Sequence, residues 1–194
     1  MAHPINSRVI AVNGPLVTAE VIRDQEVTMN EVAYVMWNDI PLKSEVIRIR
    51  GRLVDIQVFE STTGLKVGDQ VDFSRELLSA TLGPGILGQI YDGLQNPLNM
   101  LENTQGFFLK RGQYVSALDQ TKKWDFTPLV AKGDQVKAGH YLGYVPEGIF
   151  RHHIMVPLSY AGIGEIVEIA GQGPFAVGET IAVLRNGDSE PFSV

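Results

Sequence analysis

The chain has 194 residues, 44% of them hydrophobic and 20% charged, which is enough to bury a core and excludes a disordered segment. A net charge of −6, from 16 Lys+Arg against 22 Asp+Glu, gives no long-range attraction to nucleic acid or to an anionic membrane. With no cysteine there is neither a disulfide framework nor a thiolate metal site. No apolar run approaches the roughly 18 residues of a membrane span. The absence of cysteine makes a cytosolic protein the expectation, and the opening MAHPINSRVIAV lacks a signal-peptide core.

The first part of the chain alternates like strands. Arg8–Val12 leads into the turn cluster Asn13-Gly14-Pro15, and Leu16–Glu20 reads as the return strand. Glu31–Trp37 is apolar and β-prone, and Asp39-Ile40-Pro41 is expected to break it. EVIRIR and LVDIQVF, on either side of Gly51, give two more runs between Ser44 and Phe59. About five or six short strands with closely spaced turns predict a small closed barrel or a sandwich, in which few strand edges are left bare. Glu60 to Val71 is a polar loop turning into a further strand.

Leu82–Leu98, LGPGILGQIYDGLQNPL, is the hinge of the organisation. Gly83-Pro84-Gly85 permits a sharp turn, and Ile86, Ile90 and Leu94 recur at helical spacing. The pattern predicts a short amphipathic helix here, interrupted at Asp92-Gly93 and stopped by Pro97, joining two β modules. Beyond it, Phe107–Ala117 resumes β character and Trp124–Val130 alternates apolar with polar residues. Lys132–Gly139 turns into Tyr141–Val145, and three β-prone runs follow at His153–Val156, Gly164–Ala170 and Thr180–Leu184. After the turn Asn186-Gly187-Asp188, the closing EPFSV reads as an unpacked end, as if the chain stopped in mid-course.

A weak repeat runs through these turns: Gly68-Asp69-Gln70-Val71, Gly133-Asp134-Gln135-Val136 and Gly178-Glu179-Thr180-Ile181. Each pairs a glycine that permits a corner with an acidic side chain able to bond nearby amides.

Several constellations resemble sites. Gly173–Thr180, GPFAVGET, has the spacing of a phosphate-binding loop, but Glu179 stands where the lysine belongs, and a strand rather than a helix follows. It reads as a decoy and an ordinary turn. His152 and His153 are neighbours on a strand and point to opposite faces, so they do not chelate one metal; His140 is too distant in sequence to place, and His3 lies near the terminus. Arg8, Arg48, Arg50 and Arg52 would make a basic strip of the kind nucleic-acid-binding barrels use, but aromatics are missing between them. Lys122-Lys123-Trp124 is a basic pair beside an aromatic, read either as a contact surface or as a turn with a buried Trp. Asp69 and Asp72 sit in turns, and no arrangement suggests acid–base or nucleophilic catalysis.

Three stretches together are similar to the catalytic, A-type subunit of V-type and archaeal-type rotary ATPases: FESTTGLKVGDQV (Phe59–Val71), Leu82–Leu98, and TKKWDFTPLVAKGDQVKAGHYLGYVPE (Thr121–Glu147). The stretch from His152 to Asp188 is similar too, so the resemblance covers nearly the whole chain in order. It implies a mainly β fold. An N-terminal β-barrel would span residues 1–75, and a glycine- and proline-punctuated join with a short helix 76–112. A β-rich, barrel-sandwich-like insertion or bulge would span 113–185, and a tail toward a catalytic domain 186–194. In the join, Gly83, Pro84, Gly85, Asp92 and Gly93 would shape the backbone, and Lys122, Lys123 and Trp124 would serve contact with other subunits.

The family hydrolyses or makes ATP, with Mg2+, coupled to moving protons or sodium ions. Its phosphate loop and catalytic residues match no position here, so this piece is expected to hold no catalytic residue, nucleotide, metal or cofactor of its own. The implied partners are B-type subunits and further A-type subunits in an alternating heterohexameric ring, and a peripheral stalk at the bulge; neither nucleic acid nor membrane insertion is implied. Such a sector is cytoplasmic and peripheral to the membrane. GDQVKAGHYLGYV also resembles biotinyl- and lipoyl-carrier domains, and the alternative is a free-standing carrier-like domain, but no MKM or DKA tripeptide offers the lysine that would be modified.

Overall fold

The computed structural model describes residues 6–22, 26–105, 111–187 and 191–194, the side chains of 102–105 excepted. His3, Phe107–Lys110 and Asp188 lie outside them. Two compact units emerge, one of residues 1–80 and 101–114, the other of 81–100 and 115–194.

The first unit is built on a six-stranded antiparallel sheet. Its strands are β1 (Ser7–Asn13), β2 (Leu16–Val21), β3 (Glu31–Trp37), β4 (Ile40–Arg50), β5 (Leu53–Val58) and β6 (Val71–Leu77), in the order β1-β2-β5-β4-β3-β6. The alternation that marks these strands in the sequence is the alternation of burial: in β2, Val17 and Ala19 are fully buried between half-buried neighbours. The sheet closes on itself where Arg8 bridges Gln70. The Val9 N–H donates to Asp69 O at 2.8 Å, and the Gly68 N–H returns to Val9 O at 2.8 Å. Closure encloses a core of Val9, Val35, Leu42, Val46, Val54 and Ile56, all fully buried.

Pro41 does not break the β3–β4 pairing. The turn is Asn38-Asp39, both at positive φ (48° and 66°), a two-residue hairpin of the type that follows strand twist. Pro41 lies inside β4 opposite Met36. By alternation, the side of Pro41 that lacks an N–H is the side on which the Lys43 N–H donates to the Tyr114 hydroxyl at 2.6 Å, away from β3. The β3 ladder therefore loses no bond. Residues 111–117 form turns and irregular backbone rather than the expected strand. Arg111 lies 3.7 Å over the Trp37 ring and donates to Ser61 O and Thr63 O.

Leu82–Leu98 is not helical. It is a run of turns, and the helix α1 (Leu98–Gln105) begins where the predicted one was to end. Gly85 (φ 100°), Gly88 (φ 76°) and Gln95 (φ 63°) leave the helical region, and side-chain carboxylates take the amides a helix would have used. Ile90, on the supposed apolar stripe, and Leu87 are exposed. No helix among the described residues is long and apolar enough to cross a membrane.

The second unit stacks two four-stranded sheets. The strands are β7 (Lys123–Pro128), β8 (Gln135–Lys137), β9 (Tyr141–Glu147), β10 (Phe150–Met155), β11 (Ile163–Ile169), β12 (Gly173–Ala176), β13 (Ala182–Arg185) and β14 (Phe192–Ser193). One sheet runs β10-β9-β7-β12, the other β14-β13-β11-β8. Leu142, Val156, Ile166 and Leu184 fill one core cluster, and Trp124, Phe126 and Val145 form a smaller one. The closing residues are packed, contrary to the reading of an unpacked end. Phe192 and Ser193 pair with β13, and Val194 exchanges bonds with Ala182.

Candidate functional site

The polar centre of the second unit is Glu147, which sequence reasoning passed over. It ends β9 on the inward-facing positions occupied by Gly143 and Val145, and only 7% of it is exposed. Its Oε1 accepts the N–H groups of Gly85 at 2.7 Å and Leu87 at 3.1 Å, and its Oε2 accepts the Nδ1–H of His152 at 2.8 Å. Burial alone would push this carboxyl up. The bonds from His152 and the two amides outweigh it and hold the carboxyl below the usual range. A charged residue on the apolar positions of a strand was the one signal in the sequence. Its amide donors lie some sixty positions away and could not be paired with it there.

Of the predicted join residues, Gly85 meets this centre. Gly85 sits at φ 100°, and a Cβ there would stand 3.2 Å from Cζ2 of Trp124. Gly83 and Pro84 are buried. Asp92 caps its own turn: Oδ1 accepts the N–H groups of Leu94 and Asn96, and Oδ2 accepts Nδ2 of Asn96. Gly93 is an exposed turn residue. Gln95 closes the loop through paired bonds with the backbone of Thr81. The segment thus holds its shape through two carboxylates, the Gln95 amide and backbone turn bonds, and not through helical bonding.

Beside Glu147 lies an apolar cleft of about 380 Å3, lined among others by Pro84, Trp124, Phe126, His152, Ile154 and Phe175. With Nδ1 committed to Glu147, His152 has only Nε2 to offer a visitor.

Lys122, Lys123 and Trp124 divide by role. Trp124 is 7% exposed and belongs to the small core. The Lys122 ammonium stands 4.0 Å over its ring, and Lys123 Nζ donates to both oxygens of Glu179 at 2.8 and 3.0 Å. Gly173–Thr180 is β12 followed by a turn leading to β13. Bonds from Lys123 and from the Ala176 N–H hold the Glu179 carboxyl below its ordinary range. His152 and His153 engage different groups, as strand neighbours do: His153 stacks on Tyr141 at 4.4 Å. Arg8 pairs with Glu20, and Arg48 and Arg50 with Asp55. Asp72 lies in β6, where it accepts from Gln70, and not in a turn.

The repeated corners share one geometry. Asp69, Asp134 and Glu179 each accept, at 2.7 Å, the N–H three residues back, from Lys66, Ala131 and Ala176. Each acidic residue's own N–H returns to that residue's carbonyl.

The model of the ATP synthase alpha/beta family, beta-barrel domain, matches residues 9–75, and that of the ATPsynthase alpha/beta subunit barrel-sandwich domain matches residues 115–193. The V-type ATP synthase alpha chain of Treponema denticola is 49% identical over 179 residues, which are 92% of this chain and 30% of that one. That of Borrelia turicatae is 49% identical over 92% of this chain and 31% of its own length. That of Borreliella afzelii is 48% identical over 96% and 32% respectively. The chain therefore spans about a third of the length of these relatives.

Proposed function

Because the chain belongs to the V-type ATP synthase alpha-chain family, as its N-terminal region, we propose that it is a non-catalytic scaffold of the alpha chain. In this reading the residue 1–75 barrel packs beside B-type subunits and other alpha chains in a heterohexameric ring. The β-rich part from residue 113 to 185 projects as the bulge and meets the peripheral stalk, with Lys122 and Lys123 at its surface. The whole alpha chain binds ATP with Mg2+ and hydrolyses or makes it, coupled to proton or sodium movement, at the cytoplasmic face of the membrane. This portion contributes stiffness and contact.

One observation carries the reading. Both matched regions are β structures held by their own ladders, and the one segment spaced like a phosphate loop is a strand and a turn whose acidic residue is engaged by Lys123. An anion at that place would meet the Glu179 carboxylate and no helix N-terminus. The test is assembly. Mixed with the corresponding B-type subunit, the chain is expected to co-elute in gel filtration as a complex larger than either alone. Separate elution at micromolar concentrations of both would count against the scaffold reading.

A further inference from the structure

The cleft beside Glu147 has an unusual relation to β10. His152 and His153 both line it, although successive residues of a regular strand face opposite sides of the sheet; Ile154 and Met155, where the pairing register shifts, line it too. A cavity that runs along the edge of the strand meets both of the neighbouring histidines. That edge is free: β10 is terminal in the order β10-β9-β7-β12. The β9–β10 hairpin turns through Gly148 (φ 61°) and Ile149, with Glu147 and Phe150 as the closing pair. Counting from that pair, the N–H and C=O groups of Arg151 and His153 point away from β9.

A bare edge is ordinarily blunted by proline, lysine or a covering loop. β10 has neither proline nor lysine, its one irregularity is the register shift at Ile154/Met155, past Arg151 and His153, and Phe150 and Met155 are 59% and 42% exposed. Two cations stand near the cleft without an ion pair among the described residues. Arg151 lies over Tyr144 and Lys122 over Trp124, and neither has a carboxylate within ion-pair distance among the described residues. Glu179, the acidic residue at the rim, is already taken by Lys123.

We propose that the free edge of β10 and the cleft beside it are a docking groove for an extended segment of a partner protein, which adds to the sheet as a further strand. Main-chain bonds to Arg151 and His153 set its register. Apolar side chains at alternate positions enter the cleft against Ile154 and Phe175, and acidic residues meet Arg151 and Lys122. The inference rests on the geometry of the second unit and holds whichever protein of the assembly supplies the strand.

The experiment is a selection of random peptides displayed on phage against the whole chain. Amide exchange of the chain is then measured with a selected peptide bound. Enriched peptides are expected to alternate apolar residues, to carry Asp or Glu and to lack proline. Binding should slow exchange at Arg151 and His153. Met155→Lys and Arg151→Glu, both at exposed positions, should each weaken binding about tenfold, with the thermal midpoint unchanged as the check on folding. The proposal is overturned by a failure to enrich, by peptides with helical i, i+4 apolar spacing, or by binding indifferent to both substitutions. Slow exchange of the β10 edge in the chain alone, with sedimentation showing a dimer, would likewise overturn it in favour of pairing between two copies.

Discussion

Asp69, Asp134 and Glu179 do the same work at three corners, yet the glycines before them differ. Gly68 and Gly133 sit at φ 99° and 93°, where a side chain is strained, whereas Gly178 is not at positive φ. Gly133→Ala should therefore lower stability by about 1–2 kcal/mol, and Gly178→Ala by less than about 0.5 kcal/mol, read from urea midpoints. Equal losses would mean that the glycines serve packing and not backbone conformation. Glu147 is the other residue with a large expected effect. Glu147→Gln leaves the site with one acceptor oxygen where the carboxylate offered two to three donors, and should cost about 1–3 kcal/mol. The sign of the pH effect follows from the depressed carboxyl. Its contribution is fully present above the ordinary glutamate value near pH ~4.3 and is lost as pH falls through the lower folded value. Denaturation between neutral pH and about pH 3 should show the wild-type chain losing more stability on acidification than Glu147→Gln; parallel losses would remove Glu147 from the account.

At the scale of elements, strands were the most legible feature and the join the least. β3 matches the run Glu31–Trp37 because its β-prone residues pair with β4 on one side and β6 on the other. Ile86, Ile90 and Leu94 have helical spacing, but spacing alone does not count hydrogen bonds. The amides of Gly85, Leu87, Leu94 and Asn96 are claimed by Glu147 and Asp92, and glycines at positive φ take the chain out of a helix. β12 was hidden for a related reason: Gly173–Ala176 looked like the start of a loop, and its pairing with β7 joins residues some fifty positions apart. A direct test separates the two readings of the join. Ile90→Ser should change stability by no more than about 0.5 kcal/mol, as expected for a side chain that is 64% exposed. A core helix position would lose about 2–5 kcal/mol, which a thermal or urea midpoint resolves easily.

The whole molecule reads as two β modules, each held by its own ladders, matching in order the barrel and barrel-sandwich regions of a much longer family of chains. The long matched stretches made the family legible in the sequence. The Glu147 centre and the β10 edge were not, because each depends on groups brought together by folding. The central claim is that this portion supports an ATP-handling alpha chain without itself holding the nucleotide. Titration calorimetry of the chain with Mg2+ and ATP addresses it most directly. The account predicts no heat beyond dilution at millimolar nucleotide; a saturable isotherm with micromolar affinity would contradict it.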